Sequence, residues 1–256
     1  MTTGLLLCAA PLAAQAPTHN PPAGVLVLRN VTLIDGTGRP AQPNRTIIIR
    51  DGRIAEIATA QSAPPRGSQV LDLSGHFVIP GLVDAHVHLT SPFALRTQQD
   101  SLLTFLFKSG ITSVRDMAGD AVVLKEHARL AADSQLPVPR VYYSALMAGA
   151  EFLRTEPRAR AIAQGGTPGE LAWLRALTDT TNMKDVIAAA KDIGVTGIKL
   201  YADLPVALVE RVTAEAHRQG LKVWAHATLA PAKPTEVIDA GVDVISHLDM
   251  LVFEGE

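Results

Sequence analysis

The chain has very little cysteine: Cys8 is the only one among its 256 residues. It lies inside an apolar N-terminal run, so a processed chain without this run contains no thiol at all. A fold held together by disulfides and an enzyme with a cysteine nucleophile are therefore excluded for the processed chain. The scarcity of cysteine does not by itself assign a compartment.

Runs of like charge and long apolar stretches are absent as well. Lys and Arg number 23 and Asp and Glu 25, which gives a formal net charge of -2 without a basic cluster. A nucleic-acid partner or an anionic membrane surface is therefore not expected. The apolar run at residues 4–12 is too short for a permanent membrane span. With 47% hydrophobic residues, the chain can instead bury a substantial core.

Residues 1–16 are predicted to be a signal peptide. The apolar run is followed by Ala14-Gln15-Ala16, a small-x-small pattern that is typical of a cleavage site. The usual basic segment before the run is missing, because the first Lys or Arg is Arg29. We expect an exported protein, periplasmic or secreted. The alternative is a cytoplasmic protein with an apolar tail, or a start codon placed too late.

Residues 25–79 predict a small β-domain in which strands alternate with turns. Asp51-Gly52 separates two strand patterns, and Asp-Gly between apolar strands is a strong hairpin signal. The strand patterns cover residues 25–28, 31–34, 46–49 and 53–57.

Residues 80–256 predict an α/β domain with a parallel sheet, because short apolar strands alternate with helical patterns. Residues 147–181 form a long connection after the third strand, interpreted as a loop that shapes the substrate pocket or as a surface insertion. Pro205 is expected in the first turn of a helix. After the strand that begins at Leu82, the predicted strands cover 112–116, 140–145, 197–201, 222–227 and 242–247, and the predicted helices cover 97–109, 121–134, 183–193 and 205–219.

Two histidines one residue apart, His86 and His88, stand at the end of the first of these strands. Residues i and i+2 of a strand face the same side, so both imidazoles can bind one metal ion. Solvated side chains at a strand end are the ordinary alternative. Further candidates near later strand ends are Lys199, Tyr201, His226 and His247; the other histidines, interpreted as surface or ordinary residues, are His19, His76, His127 and His217.

The order His-x-His, Lys, His, His resembles the amidohydrolase superfamily. Residues 72–88 resemble the entry of that family's chain into its barrel, and residues 197–201 resemble the imidazolonepropionase-like and Xaa-Pro dipeptidase-like branch. The resemblance covers nearly everything after Val25. It implies a TIM-like (β/α)₈ barrel beside a small β-domain.

The resemblance also implies two divalent metal ions at the carboxyl face of the barrel. These would be zinc, with manganese, iron or cobalt as alternatives. His86 and His88 would hold the buried metal, and His226 with His247 the more exposed one. Lys199 would bridge them as a carbamate formed with carbon dioxide, because a lysine ammonium has no lone pair for a cation. A surface lysine or an ion-pair partner is the alternative for Lys199.

Hydrolysis of a C–N bond in an amide, peptide or cyclic amide by metal-activated water is the activity that the resemblance implies. The expected substrate is a small molecule, such as an Xaa-Pro dipeptide or an imidazolone ring. Tyr201 shares the strand face of Lys199, and is interpreted either as a hydrogen-bond donor to the substrate carbonyl or as packing. Deaminase relatives usually use one metal and no bridging lysine, so Lys199 argues against deamination. A homo-oligomer is left open.

About six barrel strands are present, whereas a closed barrel needs eight. The sequence stops at Glu256, soon after the sixth strand, so the family's β8 aspartate, a metal ligand and proton acceptor, has no counterpart. We therefore expect a fragment of a longer hydrolase and do not expect this form to be a competent catalyst. The alternative is a catalytically inactive truncated product that at most binds metal or a partner.

Overall fold

The computed structural model describes residues 24–90, 96–132 and 136–255. Residues 1–16, where the signal peptide is predicted, lie outside the described residues, as does His19. The chain divides into two compact units, one that ends at Ile79 and one that begins at Pro80.

The first unit is a five-stranded sheet built around its first strand. Its strands are β1 (Val25–Leu33), β2 (Gln42–Arg50), β3 (Arg53–Thr59), β4 (Gln69–Asp72) and β5 (Phe77–Val78). β1 pairs antiparallel with β2 and parallel with both β4 and β5, while β3 continues the sheet from β2. Val31, Leu33 and Ile47 form its buried core.

Two local backbone features shape this sheet. Asp51 and Gly52 join β2 to β3 with φ angles of 49° and 70°, the left-handed pair that a type I′ hairpin turn requires. The hairpin predicted from Asp51-Gly52 is therefore confirmed. Residues 25–28 and 31–34 were predicted as separate strands. The structure has instead a single strand β1 that includes residues 25–33 and leaves Ile34 outside it. Asn30 connects the two halves with a left-handed φ of 61°, and the pairing with β2 shifts beside it.

The second unit is a parallel sheet with helices between successive strands, which confirms the α/β class predicted from the sequence. Six of its strands pair in chain order and all run parallel; they begin at Leu82, Ile111, Arg140, Gly197, Lys222 and Val244. In chain order the elements are β6 (Leu82–Val87), α1 (Arg96–Lys108), β7 (Ile111–Asp116), α2 (Ala121–Ala131), β8 (Arg140–Gly149), α3 (Ala150–Thr155), α4 (Pro157–Ile162), β9 (Glu170–Leu171), β10 (Leu174–Leu177), α5 (Met183–Asp192), β11 (Gly197–Leu200), α6 (Val206–Arg218), β12 (Lys222–His226), α7 (Pro234–Asp239), β13 (Val244–Ser246) and a 3₁₀ helix (Leu248–Gly255).

The prediction of a plain loop over residues 147–181 is wrong. β8 continues to Gly149, and α3, α4 and the β9–β10 hairpin follow it. We call residues 150–177 the insertion. β10 pairs in parallel with residues 146–149 at the end of β8, beyond the part of β8 that pairs with β7. Each of the two helices has only six residues, which is too short to produce a readable helical period in the sequence.

Local side-chain chemistry explains where the helices begin and end. Asp120 caps α2, because its carboxylate accepts hydrogen bonds from the N–H groups of Val122 and Val123. Pro205 is the N-cap of α6 and so precedes the first turn in which it was predicted. Gly220 follows the same helix with a φ of 81° and ends it. No helix in the described part of the chain is long and apolar enough to cross a membrane.

Asp243 ties β13 to the neighbouring strand and to α6. Its carboxylate accepts hydrogen bonds from Lys222 Nζ at 2.6 Å, from the Val223 N–H at 2.8 Å and from the His217 ring at 2.8 Å. Burial alone would raise the pKa of Asp243, but these three hydrogen bonds outweigh burial and lower the pKa to about 2. Such a carboxylate stabilises the fold above its unfolded pKa, and its contribution is lost as the pH falls toward the folded pKa.

We expect Asp243→Asn to lower the free energy of unfolding by about 1 kcal/mol at pH 7, because charge-assisted hydrogen bonds at a partly exposed site are lost. The difference from the wild type should shrink as the pH falls from about 5 to about 2. Urea unfolding followed by circular dichroism at several pH values measures both effects. Asp192→Asn, at an exposed carboxylate on α5, is the matched control. A difference that stays constant over this pH range would contradict the assignment.

Candidate metal centre

Four histidines at the carboxyl ends of three strands form one cluster. His86 belongs to β6 and His88 follows it, His226 ends β12, and His247 directly follows β13. The ring centroids are 5.3 Å apart for His86 and His88, and 4.8 Å apart for His86 and His247. The His226 and His247 centroids are 4.5 Å apart. The structure thus brings together all four histidines that the sequence singled out.

The backbone at His247 is in an unusual conformation. Its φ angle is 64°, in the left-handed region that non-glycine residues seldom adopt. The chain turns there into the 3₁₀ helix, where the Met250 N–H donates to the His247 carbonyl at 2.9 Å. The same turn places the imidazole against both His86 and His226. Conformations of this kind cluster at functional sites.

Lys199 lies in the middle of β11, and only 1% of its surface is exposed. Its Nζ is buried and has no hydrogen-bond partner among the described residues. Burial, followed by the charge of Arg115, lowers the pKa of Lys199 to about 7. Burying a polar group without a partner is unfavourable. The surface position that the sequence left open for Lys199 is therefore excluded.

Burial keeps three of the clustered imidazoles in the neutral form. Burial, followed by the charge of Lys199, lowers the pKa of His86 and of His226 to about 4. The same two causes lower the pKa of His88. A neutral imidazole keeps a lone pair that can bind a metal ion, whereas an imidazolium does not. At neutral pH these side chains therefore offer nitrogen ligands.

Tyr201 follows β11 and is half-buried beside the cluster. Its ring centroid is 5.1 Å from that of Phe152, in a stacked arrangement, and 4.9 Å from that of His226. This position is compatible with both interpretations made from the sequence, namely packing at the mouth of the sheet and contact with a substrate.

Arg115 and Trp224 belong to the surroundings of the cluster, although the sequence analysis did not select them. Arg115 Nε donates to the Ala85 carbonyl at 2.7 Å, and its guanidinium lies 4.6 Å from the centroid of the Trp224 ring. Arg115 thereby links β7 to β6 and β12. For Trp224 the sequence did contain a signal. It precedes His226 by two residues and therefore lies on the same face of the strand.

Asp116 holds the chain just after His88. It is fully buried, and its carboxylate accepts the N–H of Leu89 at 2.6 Å and of Ala118 at 3.1 Å. Burial raises the pKa of Asp116 to about 6, although these backbone hydrogen bonds act in the opposite direction. The carboxylate therefore fixes the backbone on which His88 stands.

The other described histidines have local contacts. The His217 ring forms a hydrogen bond with the Asp243 carboxylate. His127 is buried on α2, so it is not a surface residue and the interpretation as an ordinary residue remains for it. His76 lies in a turn of the first unit, with its ring next to the Ser74 carbonyl.

The unmodified side chains do not by themselves form a complete metal site. Within residues 24–90, 96–132 and 136–255, no three His, Cys, Asp or Glu side chains are arranged to hold one metal ion. The buried amine of Lys199 has no hydrogen-bond partner in the described part of the chain, and its charge lowers the pKa of His86 and His226. Conversion of this amine to a carbamate would add oxygen ligands and remove the unpartnered group. The set therefore fits a metal centre that contains a modified lysine.

Residues 77–251 match the Amidohydrolase family over more than half of the 256-residue chain. The chain therefore belongs to the amidohydrolase family, a family of hydrolases that act on C–N bonds. The resemblance inferred from the ordered histidines and lysine is confirmed.

Several known proteins are similar to parts of the chain. A dihydroorotase from Anaeromyxobacter dehalogenans is 42% identical over 71 residues, which cover 25% of this chain and 16% of that protein. An imidazolonepropionase from Mycolicibacterium smegmatis is 34% identical over 117 residues, which cover 43% of this chain and 29% of that protein.

A solved Xaa-Pro dipeptidase with bound methionine shares the fold. It superposes with a TM-score of 0.71 at 21% identity, over 91% of this chain and 65% of that chain. The chain thus spans less than two thirds of the length of these proteins. The likeness confirms an incomplete TIM-like barrel with an N-terminal sheet.

We expect Lys199→Met to raise the free energy of unfolding of the metal-free chain by about 1–3 kcal/mol, because an apolar side chain replaces a buried amine without a partner. Lys199→Ala should not give this gain, because it leaves a cavity. Urea unfolding after dialysis against EDTA, followed by circular dichroism, measures both variants. A Lys199→Met protein that is less stable than the wild type would mean that the amine has a partner in solution.

Proposed function

We propose that this chain provides the metal-binding histidines and the lysine of a binuclear metal-dependent hydrolase that cleaves a C–N bond in an amide, peptide or cyclic amide. The observation that carries the proposal is the buried and unpartnered amine of Lys199 beside four clustered histidines. Membership of the amidohydrolase family supports the reaction class.

In this proposal His86 and His88 would hold one divalent metal ion, and His226 and His247 would hold a second. Lys199, converted to a carbamate with carbon dioxide, would supply oxygen ligands to both. Zinc suits a set of imidazoles and carboxylate-like oxygens, with manganese, iron and cobalt as alternatives. When bound, two such ions supply Lewis-acid polarisation and a water molecule of lowered pKa.

The chain's own residues orient the site and the substrate. Asp116 fixes the backbone after His88, and Arg115 connects the strand of His86 to Trp224 on the strand of His226. The Tyr201 hydroxyl donates a hydrogen bond to the substrate carbonyl oxygen. The net reaction adds one water molecule across the C–N bond and releases a carboxylic acid and an amine.

A dipeptide-like or cyclic amide substrate is supported by the chain's relatives. One is named an imidazolonepropionase, and one solved neighbour is a Xaa-Pro dipeptidase. Lys199 argues against a single-metal deaminase, because a bridging lysine is useful only where two metal ions share it. The substrate is therefore proposed to be a small molecule with an amide bond.

We expect the purified wild-type chain to bind about two zinc ions after incubation with zinc and bicarbonate. Lys199→Met and His226→Ala should each bind about one or none, because each removes a ligand from the proposed centre. Metal content by inductively coupled plasma mass spectrometry measures this. Lys125→Met, at an exposed lysine on α2, is the matched control and should keep the wild-type content.

Two further measurements test the carbamylation of Lys199 and the hydrolytic activity separately. Incubation with ¹³C-bicarbonate should give a carbamate carbon signal in the NMR spectrum of the wild type but not of Lys199→Met. Hydrolysis of a panel of Xaa-Pro dipeptides and cyclic amides tests turnover. Bound metal without any hydrolysis would favour the alternative of an inactive metal-binding product, and unchanged metal content in both variants would refute the proposed ligands.

We also propose that residues 1–16 direct export. In a bacterial host, alkaline phosphatase fused after residue 24 should be active, because this enzyme matures only outside the cytoplasm. The same fusion without residues 1–16 should be inactive. Equal activity of the two fusions would favour a cytoplasmic protein.

A further inference from the structure

A cavity of about 280 Å³ opens beside His88 and Tyr201 in the second unit. The insertion supplies most of its apolar lining, through Phe152, Ile162 and Leu174. Ligand pockets in proteins begin at about 300 Å³, so this cavity suits a ligand the size of an amino acid. Because the cavity reaches His88, an occupant would lie next to the proposed metal centre.

Two charged residues at the start of α4, Glu156 and Arg158, also line the cavity. The Glu156 carboxylate accepts hydrogen bonds from the Arg158 N–H at 3.0 Å, from its Nε at 2.8 Å and from its Nη2 at 3.1 Å. A guanidinium has five N–H donors, and Glu156 engages two of them. Glu156 therefore fixes the orientation of the guanidinium, and the donors that it does not engage remain for Tyr201 and for a ligand.

Accessibility distinguishes the two members of this ion pair. The side chain of Arg158 is 59% exposed, whereas that of Glu156 is 17% exposed. The Glu156 oxygens are already engaged, because they also accept the backbone N–H that begins α4. An arriving ligand therefore meets the guanidinium more readily than the carboxylate, so the cavity favours an anionic group over a cationic one.

Tyr201 and His88 line the same cavity on the side of the metal centre. The hydrogen bond with Glu156 raises the pKa of Arg158, and an interaction with Tyr201 raises it further. The guanidinium, Glu156, Tyr201 and His88 therefore line one cavity whose other lining residues are apolar.

We propose that this cavity selects a substrate with a free carboxylate and an apolar side chain, namely an N-acylated amino acid or a dipeptide with an apolar C-terminal residue. Arg158 binds the carboxylate as a bidentate pair, and the apolar side chain packs against Phe152, Ile162 and Leu174. Hydrolysis then adds water across the acyl C–N bond and releases the C-terminal amino acid and a carboxylic acid. The chemistry of this step rests on the proposed function, but the binding does not.

The test compares two probes on the full 256-residue chain loaded with zinc. N-acetyl-L-phenylalanine carries the carboxylate, and N-acetyl-L-phenylalaninamide replaces it with a neutral amide. Ligand-observed NMR titration gives both dissociation constants without requiring turnover. We expect the acid to bind at least about tenfold more tightly than the amide, because charge-assisted hydrogen bonds are lost in the amide.

Arg158→Met should remove this preference by weakening the acid about tenfold while leaving the amide unchanged. Arg154→Met is the matched control, because Arg154 forms a similar ion pair with Glu151 but does not line the cavity. It should keep the wild-type preference. Circular dichroism of each variant checks the fold, and the wild-type comparison of acid with amide stands even if a variant does not fold.

Equal binding of acid and amide to the wild type would overturn the inference. Tighter binding of N-acetyl-L-argininamide, abolished by Glu156→Gln, would also overturn it, because it would assign recognition to the carboxylate. Hydrolysis of dipeptides without any effect of Arg158→Met would leave the proposed function intact and refute only this inference. Carboxylate-selective binding without hydrolysis would support this inference and refute the proposed function.

Discussion

The candidate site depends on the curl of the parallel sheet. β6 and β13 are the edge strands of the described parallel order, and each pairs with only one barrel neighbour. In a flat sheet, six strands spaced about 4.8 Å apart would separate these edges by about 24 Å. The rings of His86 and His247, one at each edge, are nevertheless 4.8 Å apart. Twist and curl therefore bring the two edges together at their carboxyl ends, and the cluster exists only because of them.

The cluster also has an unbalanced charge. Lys199 and Arg115 bring positive groups to the imidazoles. Of the carboxylates nearby, Asp116 is engaged by backbone N–H groups, and Asp249 is only the last of the causes that act on the pKa of His226. An apolar residue in place of Lys199 would make a better core, whereas a negatively charged derivative of Lys199 would balance the neighbouring charges. The position is therefore better suited to a reaction than to stability, which is the usual compromise at a functional site.

Much of the second unit could be predicted, because most of its strands and helices are long enough to show a hydrophobic periodicity and are bounded by Gly or Pro residues. His86 and His88 followed from the strand period of two, and Lys199, His226 and His247 from their places near strand ends. The insertion could not be predicted, because two helices of six residues and strands of two and four residues are shorter than the patterns that identify them. The burial of Lys199 and the direction of Arg158 are tertiary effects that no local pattern contains.

The pairing of β10 with the far end of β8 has an evolutionary consequence. The insertion is anchored to the sheet by main-chain hydrogen bonds, which depend little on side-chain identity. The insertion supplies Phe152, Arg158, Ile162 and Leu174 to the cavity. The four clustered histidines and Lys199 belong to parts of the chain outside the insertion. The proposed substrate recognition and the proposed chemistry thus depend on separate stretches of the gene. Replacement of residues 150–177 during evolution could therefore change the substrate specificity while the four clustered histidines and Lys199 stay unchanged.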